Sequence, residues 1–170
     1  MNRTLALVAS FAVVALCAES VLAQERAAST DGFDLLKSLV GEWEGKGPDG
    51  SVSSVTYRLT AAGSVIEETM NAGTEHEMVT MYHRDGGSLM MTHYCAMRNQ
   101  PRMRAKPLKD GSKSLTFAFV DATNLAKASD GHMHGLVLTV VDGDHITHAW
   151  TWRAEEKEEE HAFAFTRKKS

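Results

Sequence analysis

From Val52 to Lys168 the chain is a succession of short segments in which apolar and polar residues alternate, each bounded by turn residues. Alternation at period two is the mark of a strand with one buried face. Val52–Leu59 places Val55, Tyr57 and Leu59 on one face, and Ala61-Ala62-Gly63 turns the chain into Ser64–Met70. Asn71-Ala72-Gly73 turns it again into Glu75–His83, and Arg84-Asp85-Gly86-Gly87 is a hairpin signal leading to Leu89–Met97. Residues 98–114, broken by Pro101 and Pro107, read as irregular, followed by a strand Leu115–Val120 and a loop or helical turn from Asp121 to Gly131. Met133–Val141 and His145–Arg153 flank the turn Asp142-Gly143-Asp144, and the acidic run Glu155–Glu160 reads as a solvated hairpin tip before Ala162–Lys168. A meander of about eight to ten short strands has to close or leave its edges open to other chains. The expected fold is therefore all-β: a single antiparallel up-and-down barrel with a short N-terminal helix.

That helix is predicted from Phe33, Leu36, Leu39 and Val40, which recur at helical spacing and can lid one barrel end. It runs into Gly41-Glu42-Trp43-Glu44-Gly45-Lys46-Gly47. Gly41 can adopt positive φ and turn the chain from helix to strand. Gly45 has no Cβ, so neighbouring backbone can approach it closely.

The Gly-x-Trp of this stretch resembles the signature that heads the first strand of the calycins, the lipocalin and fatty-acid-binding superfamily. The resemblance implies a lipocalin-like barrel in which an Arg of the last strand packs across the Trp, a place that Arg167 fits. The longer form Gly-x-Trp-x-Gly-x-Gly is similar to the nitrobindin branch and implies haem, although Asp49 stands where that branch has a further Gly and no Tyr-Pro follows. Thr92-His93-Tyr94-Cys95 and Asn99-Gln100-Pro101-Arg102-Met103 resemble a group of secreted bacterial proteins of unknown function, over about residues 33–168.

The N-terminus carries Arg3, an apolar run from Leu5 to Cys17 too short to span a bilayer, and Val21-Leu22-Ala23, a small-residue cleavage pattern. The expected organisation is a signal peptide over 1–23, a disordered lead over 24–31 and the barrel domain over 32–170. The protein is then exported, periplasmic or extracellular, with no transmembrane segment after processing. Removal of the signal leaves roughly 147 residues, one domain with a core of its own. The net charge of −4 gives no basic excess, which argues against nucleic acid as a partner. Cys95 is then the last cysteine, so no internal disulfide forms.

Chemistry concentrates in the eight histidines and one loop. Residues two apart on a strand share a face, which pairs His93 with Cys95 and His132 with His134. Imidazoles so placed, joined by a third ligand, make a zinc or copper site; more often they are hydrogen-bonded core or surface histidines. His93 and Cys95 are also a candidate base and thiolate, against the commoner reading of a buried thiol beside a histidine. Asn99, Gln100 and Arg102, set around the rigid Pro101, can present donors to a polar head group or satisfy their own backbone. The functional expectation is non-catalytic binding of a small, mostly apolar or amphipathic molecule in the barrel, contacted by His93, Cys95, Asn99, Gln100, Arg102, His132 and His134. The alternatives are a haem- or metal-binding barrel and an enzyme using His93 and Cys95; the cofactor stays open.

Overall fold

The structure, a computed structural model, describes residues 32–47, 49–108 and 111–169; the expected signal peptide and lead fall outside the described residues. Helix α1 (Phe33–Lys37) is followed by ten strands: β1 (Gly41–Lys46), β2 (Val52–Thr60), β3 (Val65–Met70), β4 (Met78–Asp85), β5 (Ser88–Tyr94), β6 (Gln100–Ala105), β7 (Ser114–Thr123), β8 (His132–Val140), β9 (His145–Ala154) and β10 (Lys157–Arg167). Each strand pairs with the next, and β1 pairs with β10, so the antiparallel meander closes into an up-and-down barrel. Among the described residues no helix is long and apolar enough to cross a membrane.

Closure rests on the glycines around Trp43. Gly41 has φ of 133°, which lets the chain leave the helix and enter β1 at once. In the β1–β10 ladder Trp43 faces Arg167 and Gly45 faces Phe165. A Cβ on Gly45 would stand 1.9 Å from the Ala164 carbonyl oxygen, so β10 can lie this close only against glycine.

α1 lids one end. Phe33, Leu36 and Leu39 are fully buried there, whereas Val40 faces out. Trp43 donates its indole N–H to the Leu39 carbonyl at 2.8 Å. The Arg167 guanidinium lies 4.0 Å over the Trp43 ring and donates to the carbonyls of Gly143, Val40 and Ser38. One side chain thus ties the helix exit, the β8–β9 turn and the closing ladder together. Replacing it by methionine keeps the stem but removes the ring contact and three charge-assisted bonds. We expect Arg167→Met to lower stability in urea by about 2 kcal/mol, and Arg167→Lys, which lacks the planar fork, to recover less than half of that.

Three segments depart from the sequence reading. Gln100–Ala105 is a strand, not part of an irregular stretch. Pro101 is tolerated because the β5–β6 ladder ends at Thr92 and Arg102, so its missing N–H leaves no gap in that ladder. The acidic run contributes only Glu155 and Glu156 to the turn; from Lys157 onward it is β10, paired to β9 with its carboxylates in solvent. At the same barrel end β5 stops at Tyr94, so Met97 falls in a turn beyond the strand and is exposed.

Candidate functional site

All seven candidate residues lie at the barrel end opposite α1, where β5 ends and β6 and β8 begin. The strands divide them among three environments.

Inside, His93 is 2% exposed; its Nδ1 shares a 2.9 Å hydrogen bond with the Thr80 hydroxyl, and its ring lies 4.6 Å from Trp150. Among the described residues its Nε2 has no hydrogen-bond partner. Burial lowers its pKa to about 4, so the ring is neutral near pH 7. Deeper in the barrel, Tyr82 donates to Glu68 at 2.7 Å, and Tyr57 and His148 Nε2 share a 2.7 Å bond. His93 with Thr80, Tyr82 with Glu68, and Tyr57 with His148 are three hydrogen-bonded pairs buried in an otherwise apolar core. Burial raises Glu68 to about 7 and lowers His148 to about 3. The signal for Glu68 was present: Ile66, Glu68 and Met70 share one face of β3, an acid in an apolar row.

On the outside, Arg102 and Gln100 alternate with the buried Pro101 and Met103. Arg102 is half-exposed and forms a two-bonded ion pair with Asp121. The Gln100 amide accepts from Thr123 and Asn124 and donates to the Arg98 carbonyl. These two side chains are committed to holding the β6–β7 edge. Asn99 is buried and donates to the Gly131 carbonyl at 2.9 Å, while its Oδ1 has no partner.

Between β7 and β8 the wall opens. Their ladder runs only from Ser114 and Thr139 to Ala118 and Gly135, yet β7 continues to Thr123 and β8 starts at His132. Register slips occur on both flanks, at Arg102/Met103 of β6 and at Met133/Gly135 of β8. Bulges of this kind bend strands and re-aim side chains. The seam is a cleft of about 500 Å³ lined by Phe119, Leu125, His132, His134, Arg153 and Glu155, among others.

Here the hydrogen bonds have a fixed direction. Arg153 can only donate, so His134 Nε2 accepts from it at 3.2 Å. His134 Nδ1 then carries the proton and donates to His132 Nε2 at 3.0 Å. His132 Nδ1 donates in turn to the Asp130 carbonyl at 2.8 Å. Phe119 packs against both rings, 4.6 Å from His134 and 4.8 Å from His132. Burial and the neighbouring Arg153 lower the His134 pKa.

This arrangement bears on the cofactor readings. An iron or zinc ion needs an imidazole nitrogen with a free lone pair, and in His132 and His134 both lone-pair nitrogens already accept hydrogen bonds while the other two carry protons that are donated. His148 has a free Nδ1 but is fully enclosed between Tyr57 and Phe165, with no room for a macrocycle. The cleft and this part of the core do not fit haem. Among the described residues no three His, Cys, Asp or Glu side chains are grouped to hold a metal ion. The base–thiolate reading also lacks its geometry: His93 Nε2 bonds nothing, and burial pushes the half-buried Cys95 thiol up, away from thiolate.

No protein-family model matches the chain, and no curated protein does. Several solved structures are similar to it, among them two that span most of this chain. The crystal structure of Rv2717c from M. tuberculosis aligns with a TM-score of 0.56 at 14% identity, over 81% of this chain and 98% of that one. A redesigned β-barrel aligns with a TM-score of 0.35 at 9% identity, over 79% and 96% of the two chains. The first likeness is one of fold: a closed antiparallel barrel spanning nearly the whole of Rv2717c.

Proposed function

We propose that this is an exported, calycin-like binding protein that holds a small, mostly apolar molecule at the barrel end opposite α1 without transforming it. The observation that carries the reading is His93. Its Nε2 is buried and bonds to nothing, while its other nitrogen is fixed by Thr80 and its ring by Trp150. A buried polar atom without a partner is costly, and a bound hydroxyl or carbonyl group removes that cost. Asn99 Oδ1, at the same end, is a second atom of this kind. Apolar neighbours such as Trp150 would supply affinity and the two polar atoms orientation, the usual division in small-molecule sites. The leader-like N-terminus supports export.

Native mass spectrometry of the mature protein tests the reading, with 1-octanol as a probe that offers both a hydroxyl and an alkyl chain. A retained mass that denaturation releases, or octanol-dependent quenching of Trp150, is the expected result. His93→Leu should weaken octanol binding about tenfold, because the hydroxyl then has no partner. A bare polypeptide mass together with no response to octanol would refute interior binding.

A further inference from the structure

The seam between β7 and β8 has a lining of its own: His93, Thr80, Tyr82, Glu68, Tyr57, His148 and Trp150 are all missing from it. Three features make it more than a surface dip. Its two strands stop pairing while both continue, between two register slips. Its histidines are locked into one tautomer each by a chain of bonds that begins at Arg153. His132, 3% exposed, is held as a rigid aromatic surface together with Phe119 and His134, whose rings are 24° from parallel.

The charges select the ligand. Asp121 is neutralised by Arg102. Among the described lining residues Arg153 is the cation; its Nη1 donates to His134 and makes a loose 3.8 Å contact with Glu158, which leaves Nε and Nη2 to donate to a ligand. A planar fork of N–H donors matches a carboxylate. Glu155, exposed at the rim, disfavours a second negative charge on the ligand. A volume of about 500 Å³ suits a molecule of two fused rings.

We propose that this seam is a second binding site, separate from the barrel interior, for a planar aromatic monocarboxylate whose ring extends the Phe119–His134 stack and whose carboxylate pairs with Arg153.

The test uses 2-naphthoate, with 2-naphthalenemethanol and 2-naphthylmethylammonium as neutral and cationic counterparts, read by the imidazole NMR signals of the intact protein. 2-Naphthoate should shift the His132 and His134 signals and bind about tenfold tighter than the alcohol, with the ammonium weakest. Arg153→Gln should erase the preference for naphthoate while leaving the alcohol unchanged, and Phe119→Leu should weaken both alike. Should Arg153→Gln fail to fold, Arg153→Lys keeps the charge without the fork and should cut the preference about threefold. Shifts confined to His93, an ammonium that binds as well as the carboxylate, or a preference untouched by either Arg153 substitution would each overturn the assignment.

Discussion

Gly45→Ala is expected to destabilise the barrel by about 3 kcal/mol or more, enough to unfold a domain of ordinary stability at moderate temperature. The added methyl would meet the Ala164 oxygen at 1.9 Å and the Ala164 carbonyl carbon at 2.8 Å. Both are backbone, so relief requires β10 to move away from β1. That movement breaks the ladder from Trp43 and Arg167 to Lys46 and Ala164. Loss of this ladder leaves a ten-strand sheet with two open edges, and edges of this kind pair with other chains. Aggregation during refolding should accompany the loss of stability. Gly135→Ala is the control: its nearest atom, the Thr151 hydroxyl oxygen, stands at 3.3 Å on a side chain that can turn. It should cost below about 1 kcal/mol. Equal midpoints for the two variants in urea unfolding would show that the β1–β10 approach is not what closes the barrel.

The closing elements were legible because their chemistry is local. Gly41, Trp43 and Gly45 announce a positive φ, a plug and a close approach within a few residues, whereas Arg167 as the cover was implied by the resemblance to the calycins. Strand β6 was not legible, since Pro101 and Pro107 mark a break and only the tertiary ladder shows that the proline sits past the β5 pairing. The start of β10 was hidden by composition: outward positions on a closed barrel need no apolar residue, so Glu158 and Glu160 read as loop. The pairing of His132 and His134 was anticipated, but not its character. A register slip at Met133/Gly135 carries them into the seam, away from the alternation that buries Leu136 and Leu138. Periodicity has no term for a bulge. Arg102 followed strand alternation outward to Asp121, which no reading of residues 98–114 as a loop contains.

The buried titratable groups set the second large effect, a stability maximum near pH 6.5. His93 and His148 have folded pKa values of about 4 and about 3, below the ordinary 6.5. The unfolded chain therefore takes up protons at these rings that the folded chain refuses, and each ring costs stability as pH falls below 6.5. Glu68 has the opposite sign. Its folded pKa of about 7 lies above the usual 4.5, so the folded state holds a proton there that the unfolded state has lost, and stability declines as pH rises from 4.5 through 7. Between pH 6.5 and 4.5 two rings oppose one carboxyl, and net stability falls by about 1 kcal/mol per unit. Below pH 4.5 Glu68 no longer compensates and the fall steepens. His134, partly exposed, adds to the acid loss in the same direction, whereas Asp49, Asp121 and Asp142 titrate below this window. Urea unfolding at stepped pH separates the contributions by slope, independent of what each substitution does to the level. Glu68→Gln keeps an acceptor for Tyr82 and removes the compensation, so the slope between pH 6.5 and 4.5 should roughly double. His148→Gln leaves one ring against one carboxyl and should flatten that window. A wild-type profile already flat from pH 6.5 to 4.5, or a Glu68→Gln slope no steeper than the wild type, would mean that the three groups do not titrate as a buried set.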